Sequence, residues 1–380
     1  MRSLTEILLY FDPVEPLNIK GDERILNPLN NQITIHGNNS HSPNVRDAGI
    51  LLFGVGKPTR ANFIREWLYG LSGIASLGMI ADLGNLRDGK NPADTRIGLA
   101  DVITEAGKAR KIVIVLGSSS HEILTFGLAY DRLETPYNLT VVDPVIDIMP
   151  DDHADKSHYL NALISAPDGN LFDFVHLGYQ TYLTDPGSFD RLDELFFEHQ
   201  RLGTLREDLR EAEPVFRNSD ILSFSMASIR QTEAPGVFYP SANGFTAEEA
   251  CQLTRFAGLS DKLSLLAISG FEDGRDLNGQ TSGLAAQMIW FFLQGISQRK
   301  SDYPYADIRQ YQKYIVDLPK SGHNLTFYKS PNTNRWWVEV PYPESSTPRS
   351  LFVACSYRDY QIASEGDIPD RWWNNYRRLS

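Results

Sequence analysis

Apolar residues along this chain fall into two recurring patterns. Short, nearly continuous apolar runs occur at Ile50 to Val55, Lys111 to Leu116 (KIVIVL) and Leu139 to Val142 (LTVV), as expected of strands covered on both faces. Leu171 to Leu177 (LFDFVHL) alternates more strictly, and Ile221 to Phe224 and Leu263 to Ile268 complete the predicted sheet. Between these runs, Ala61 to Leu71 sets Phe63, Ile64, Trp67, Leu68 and Leu71 at helical spacing, an apolar stripe that must pack on something. Ser188 to His199 and Thr281 to Gln298 also read as helices, the second apolar nearly all round and therefore buried. Thr246 followed by Glu249 forms a capping box at a helix start, and Gly258 marks its stop. The polar, Asn-rich stretch from Asn27 to Asn44 reads as a loop. Strands alternating with helices, without long hairpin signals, predict a three-layer α/β/α architecture with a mostly parallel central sheet. In such folds ligands bind at the carboxyl ends of the strands, so the polar clusters following each run are where chemistry is sought.

Past Arg299 the texture changes to Tyr, Pro and Trp. Of the 6 tryptophans, those at 336, 337, 372 and 373 lie here. This divides the chain into a main domain, residues 1–298, and an aromatic-rich extension, 299–380, predicted to pack on the same domain. Burial is the expected fate of its aromatics. Pairs flanked by Arg335 and Arg371 would otherwise offer a stacking surface to a protein partner.

Composition narrows the function classes. The chain has 380 residues with 48 acidic and 36 basic side chains, a net charge of −12, which disfavours nucleic acid as a partner. The 2 cysteines, Cys251 and Cys355, are too few for a disulfide scaffold or a four-cysteine zinc module. The longest apolar runs, Ile112 to Leu116 and Met288 to Leu293, are too short to span a membrane. The N-terminal apolar stretch is broken by Glu6 and has no small-residue cleavage site, so the expectation is a cytoplasmic protein without membrane attachment. The sequons at Asn38, Asn138 and Asn324 then read as chance matches.

Four clusters follow the predicted strands. Gly117-Ser118-Ser119-Ser120-His121-Glu122 is a turn before a helix that could cradle an anion, or supply His121 as a metal ligand with Glu122 behind it. It lacks the lysine of a P-loop and the spacing of a dinucleotide fingerprint. Asp143-Pro144-Val145-Ile146-Asp147 sets two carboxylates four apart after LTVV, suited to a hard cation or to capping a turn. Asp151-Asp152-His153-Ala154-Asp155 looks like a metal box but lacks a preceding strand, and reads as a solvated loop. Ser223 to Ala227 offers hydroxyls and nothing ionisable. Gly270 to Asp276 is acidic and could present a carboxylate to a cationic substrate, although a charged loop is the simpler reading.

Taken in order over residues 45–298, with DLGNL at Asp82 to Leu86 and APGVFYP…NGFTAEEA from Ala234 to Ala250, these clusters resemble the ureohydrolase superfamily of arginase, agmatinase and formimidoylglutamase. The stretches GYQTYL, EACQLTRFAGLSDK and RWWVEVPYP resemble the formimidoylglutamase-like branch found in Bacteroidetes. The resemblance implies an arginase-like fold and hydrolysis of a guanidino or amidino carbon by a two-manganese centre that activates a bridging hydroxide. Family ligands come from a Gly-Gly-x-His turn, an Asp-x-His-x-Asp box and a Ser-x-Asp-x-Asp box. His121 matches the histidine of the first, and Asp143 and Asp147 match the outer aspartates of the second. The central histidine of that box is Val145 here, and the two aspartates of the last box are Ser225 and Ala227. One metal would thus keep three of four protein ligands, the other only the bridging Asp143. The substrate-facing glutamate falls on Gly270, with Glu272 the nearest catalytic candidate.

The sequence therefore leads to an arginase-fold homologue whose dinuclear centre has decayed, with a binding or assembly role and at most one Mn²⁺ or similar divalent cation bound. The alternatives are an amidine or guanidine hydrolase with a single metal on His121, Asp143 and Asp147, and a relocated site on Asp151, His153 and Asp155. The resemblance also implies a homo-oligomer, since related folds assemble into trimers or hexamers.

Overall fold

A computed structural model describes residues 4, 6–37, 42–149, 158–166, 168–304, 307–318, 322–343 and 349–380. The apolar runs become the middle of a 10-stranded sheet. Its strands are β1 (Phe11–Asp12), β2 (Ile33–Ile35), β3 (Ile50–Gly54), β4 (Ile80–Leu86), β5 (Ile112–Ser118), β6 (Tyr137–Val142), β7 (Leu171–Tyr179), β8 (Glu198–Arg201), β9 (Ile221–Ser225) and β10 (Leu265–Ser269). They run in the order β1-β4-β3-β5-β10-β9-β6-β7-β8, with β2 also pairing β4. Every pairing is parallel except that of β1 with β4.

The period-two alternation of each central strand splits the core into two layers. Leu52, Ile114, Leu116, Phe224, Leu266 and Ile268 point to one face, where α1 (Pro58–Leu68), α8 (Ala247–Gly258) and α9 (Gln280–Ser297) cover them. Leu51, Phe53, Val113, Val115, Val141, Leu265 and Ala267 point to the other, under α2 (Pro92–Lys108), α3 (Ile123–Asp131) and α4 (Tyr159–Ile164). Thr246 caps α8 as expected, its hydroxyl accepting from the Glu249 amide while Glu249 reaches back to the Thr246 amide. The predicted buried helix is α9.

Helices α8 and α9 approach until their backbones touch. A Cβ on Gly258 would lie 2.1 Å from the Phe292 carbonyl oxygen, and one on Gly295 2.6 Å from that of Arg255. Gly258→Ala is therefore expected to force the pair apart and lower the unfolding free energy by about 1–3 kcal/mol or somewhat more, read from a urea denaturation midpoint.

Three expectations change. The predicted helix at Ser188 to His199 is two elements: α5 (Pro186–Glu194) ends at Leu195, Phe196 takes φ +56, and β8 then joins the sheet beside β7. The Asn-rich loop contains β2. The extension is more than a folded-back tail: β11 (Gln312–Leu318), β12 (His323–Lys329), β13 (Trp336–Pro341) and β14 (Ser350–Cys355) form a 4-stranded antiparallel sheet. With α10 (Tyr357–Glu365) and α11 (Asp370–Arg378) it builds its own core around Leu325, Phe327, Trp336, Val338 and Trp372. It meets the rest of the chain through α7 (Ala212–Asn218), where the Arg217 guanidinium lies 4.8 Å from the Trp337 ring and donates to the Trp336 and Cys355 carbonyls.

Candidate functional site

The carboxyl ends of β5, β6, β9 and β10 bring the predicted clusters to one end of the sheet. The parallel ladder sets Ser269 beside Ser118 on one side and beside Ser225 on the other. At the end of β6, Asp143 turns its Oδ1 back to accept from the Val145 amide at 2.9 Å, with the Ser225 hydroxyl of β9 close by. The residue keeps some contact with solvent, yet its carboxyl is packed about by protein. Burial, with a smaller push from the Asp147 carboxylate, raises its pKa to about 6 against the opposing hydrogen bonds.

Asp147 is committed elsewhere. Its Oδ2 accepts from the Tyr159 amide at 2.9 Å and its Oδ1 lies 2.7 Å from His158 Nδ1, so it holds the first turn of α4. Val145, where the resemblance places a histidine ligand, is 41% exposed. Ser225 Oγ accepts from the Ala227 amide at 3.3 Å, capping the short turn that follows β9. Ala227 has no donor atom beyond its backbone.

His121 is exposed on the short turn after β5. Glu122, anticipated as its support, instead accepts from the Ser119 amide at 2.7 Å and from the Ser119 hydroxyl, completing a capping box. Gly270 adopts φ +77, and a Cβ there would stand 3.1 Å from Ser225 Oγ, so both backbone and neighbour oppose a side chain. Glu272 is met by Arg60 of α1, whose Nη2 lies 2.6 Å from Glu272 Oε1. Asp273 accepts from Thr59, and Asp276 caps α9 through the Thr281 and Ser282 amides. Asp151, His153 and Asp155 lie outside the described residues.

Sequence reasoning missed three participants. His176, buried on β7, donates from Nε2 to the Asp143 carbonyl at 2.9 Å; its Nδ1 then carries a lone pair without a partner, and burial lowers its pKa to about 4. It underlies the strand end that carries Asp143. Arg60 closes Glu272 across 212 residues of sequence. Arg65 of α1, fully buried, grips the Asp82 carboxylate at 2.7 and 2.9 Å and also donates to Asn85 Oδ1 and the Gly84 carbonyl. The DLGNL stretch is thus an anchor for the first helix.

No family model matches the chain. Formimidoylglutamase of Staphylococcus haemolyticus is 23% identical over 254 residues, covering 63% of this chain and 79% of that protein. Among solved structures, Trypanosoma cruzi formiminoglutamase with Mn²⁺ superposes with a TM-score of 0.59 at 17% identity, over 67% of this chain and 95% of that one. Bacillus subtilis formimidoylglutamase gives 0.61 at 14% identity over 75% of this chain and 96% of that one. This chain has the arginase-like fold. The agmatine ureohydrolase of Thermoplasma volcanium shares the fold at a TM-score of 0.53 and 21% identity, covering 67% of this chain and 90% of that one.

The donor set at these strand ends does not fit a two-manganese centre. A pair of divalent ions and their hydroxide need several carboxylate and imidazole ligands with free oxygens or nitrogens. At the strand ends, Ser225 offers a hydroxyl and Ala227 a methyl group, and Asp143 and Asp147 each accept from a backbone amide. Among the described residues, no three His, Cys, Asp or Glu side chains are grouped to hold a metal ion. Among them, too, no helix is long and apolar enough to cross a membrane.

Proposed function

We propose that this ureohydrolase homologue does not carry out two-manganese hydrolysis and serves as a binding or assembly protein. One observation carries this reading: the three candidate carboxylates at the strand ends are already engaged by the chain itself. Asp143 is held by the Val145 amide, Asp147 by His158 and Tyr159, and Glu272 by Arg60. The guanidinium of Arg60 meets the carboxylate that would otherwise face a cationic substrate. The loops at the same end favour binding, because Tyr182, Phe238, Tyr239 and Leu277 are 65%, 52%, 79% and 90% exposed there.

The test is to purify the chain from manganese-supplemented medium, measure bound metal by mass spectrometry, and assay formamide and glutamate release from formimidoylglutamate and urea release from arginine and agmatine. The expected result is a substoichiometric metal content and no turnover above the uncatalysed rate. Two retained manganese ions per chain together with turnover would overturn the proposal. A single retained ion lost together with activity in Asp143→Ala would instead select the one-metal hydrolase.

A further inference from the structure

The small C-terminal sheet has two different edges. The outer edge of β14 is closed: the Asn218 side chain accepts from the Ala354 amide at 2.8 Å and donates to the Ala354 carbonyl at 3.1 Å, as a neighbouring strand would. Arg217 takes the Cys355 carbonyl at 2.9 Å, and Tyr303 donates to that of Phe352 at 3.3 Å. At the opposite end of the sheet stands β11, hydrogen-bonded to β12 on one side. Among the described residues no strand pairs its other side, and Ile315 in its middle is 64% exposed. An open edge of seven residues with an exposed isoleucine is a template for another strand.

The side chains of β11 specify what that strand is. Tyr314, Val316 and Leu318 point into the core beneath α10 and α11, so Lys313, Ile315 and Asp317 share the outward face and all three are exposed. We infer that β11 pairs antiparallel with β11 of a second copy about a two-fold axis through Ile315. In that register Ile315 meets Ile315, and Lys313 of each copy meets Asp317 of the other. Two apolar side chains and two opposite-charge pairs then lie directly across the new ladder.

Neighbouring registers lose this match. A centre on Lys313 or Asp317 sets like charges face to face, and a centre on Tyr314 or Val316 sets a charge against Ile315. A centre between residues places the inner face of one copy on the outer face of the other. The register through Ile315 also keeps the helices of both copies on one side of a continuous eight-stranded sheet. The contact is small and its charge pairs are exposed, so the dimer is weak and loosened by salt. The inference is independent of how the metal boxes are read.

Sedimentation equilibrium of the full chain across the micromolar range, at low and high salt, tests it. The wild type is expected to show a concentration-dependent monomer–dimer equilibrium. Asp317→Lys, which opposes lysine to lysine at an exposed position, is expected to weaken the dimer on the order of tenfold or more. The double swap Lys313→Asp with Asp317→Lys restores the pairs and should restore association. Circular dichroism confirms that each variant is folded. A wild type that stays monomeric, an Asp317→Lys variant that associates like wild type, or a folded double swap that fails to recover would each overturn the inference.

Discussion

Arg65→Met is expected to cost about 3–5 kcal/mol of folding stability, because it leaves a buried charge without its partner. Arg65 and Asp82 are fully buried, and four guanidinium hydrogen bonds close the space between α1 and β4: two to Asp82, one to Asn85 and one to the Gly84 carbonyl. The Tyr69 hydroxyl adds a 2.5 Å bond to the same carboxylate. Methionine fills much of the volume but leaves the Asp82 charge and two carbonyl acceptors in a dry interior. Urea denaturation reads the loss directly; a change below about 1 kcal/mol would mean that water or a rearranged neighbour replaces the guanidinium. Because α1 also carries Arg60, the variant should loosen the closure of Glu272, seen as faster amide exchange over residues 57–62 and 270–275.

The second large effect is a pH dependence set by His176. Its folded-state pKa is lowered to about 4 by burial, from an ordinary value of 6.5. Between those values the unfolded chain binds a proton that the folded chain refuses, so stability is complete above about pH 6.5 and falls as pH drops towards 4. The full loss amounts to about 3 kcal/mol. Asp143 works against it: with its pKa raised to about 6, the folded state takes up a proton before the unfolded one does, which favours the fold on acidification. The quantity to measure is therefore the difference between wild type and His176→Gln, whose amide can still donate to the Asp143 carbonyl. The variant should lack the acid-dependent loss, so the difference should change by about 3 kcal/mol between pH 7 and pH 4. Parallel profiles would show that His176 does not stay neutral in the folded chain.

Residues that carry these effects were legible in the sequence to different degrees. KIVIVL and LTVV announce buried parallel strands because both faces must be apolar, and β5 and β6 form there. β4 escapes the same reading because its polar Asp82 and Asn85 are buried against Arg65, 17 and 20 positions away. β8, with the sequence EHQR, has no hydrophobic signature, since an edge strand can leave both faces polar. The expected departures from the family pattern at Val145, Ser225 and Ala227 can be read position by position, whereas the engagement of the nearby carboxylates cannot. Asp147 as a helix cap and Arg60 as the partner of Glu272 depend on chain paths that local pattern does not encode. The antiparallel C-terminal sheet was hidden for another reason: its aromatic density predicts burial without saying what covers it, until strand pairing fixes which rings face inward.

The amide of Asn218 bears on growth as well as on packing. A sheet with two open ends can add copies without limit, whereas one whose far end is plugged by a side chain from its own main domain has a single valence. Joined through β11, two chains would use up both of their open ends at once, so the assembly stops at a pair and cannot propagate into a fibre. By the same logic Asn218→Ala would remove the plug and leave the Ala354 amide and carbonyl as a second docking point, turning a self-limiting pair into a polymerising one.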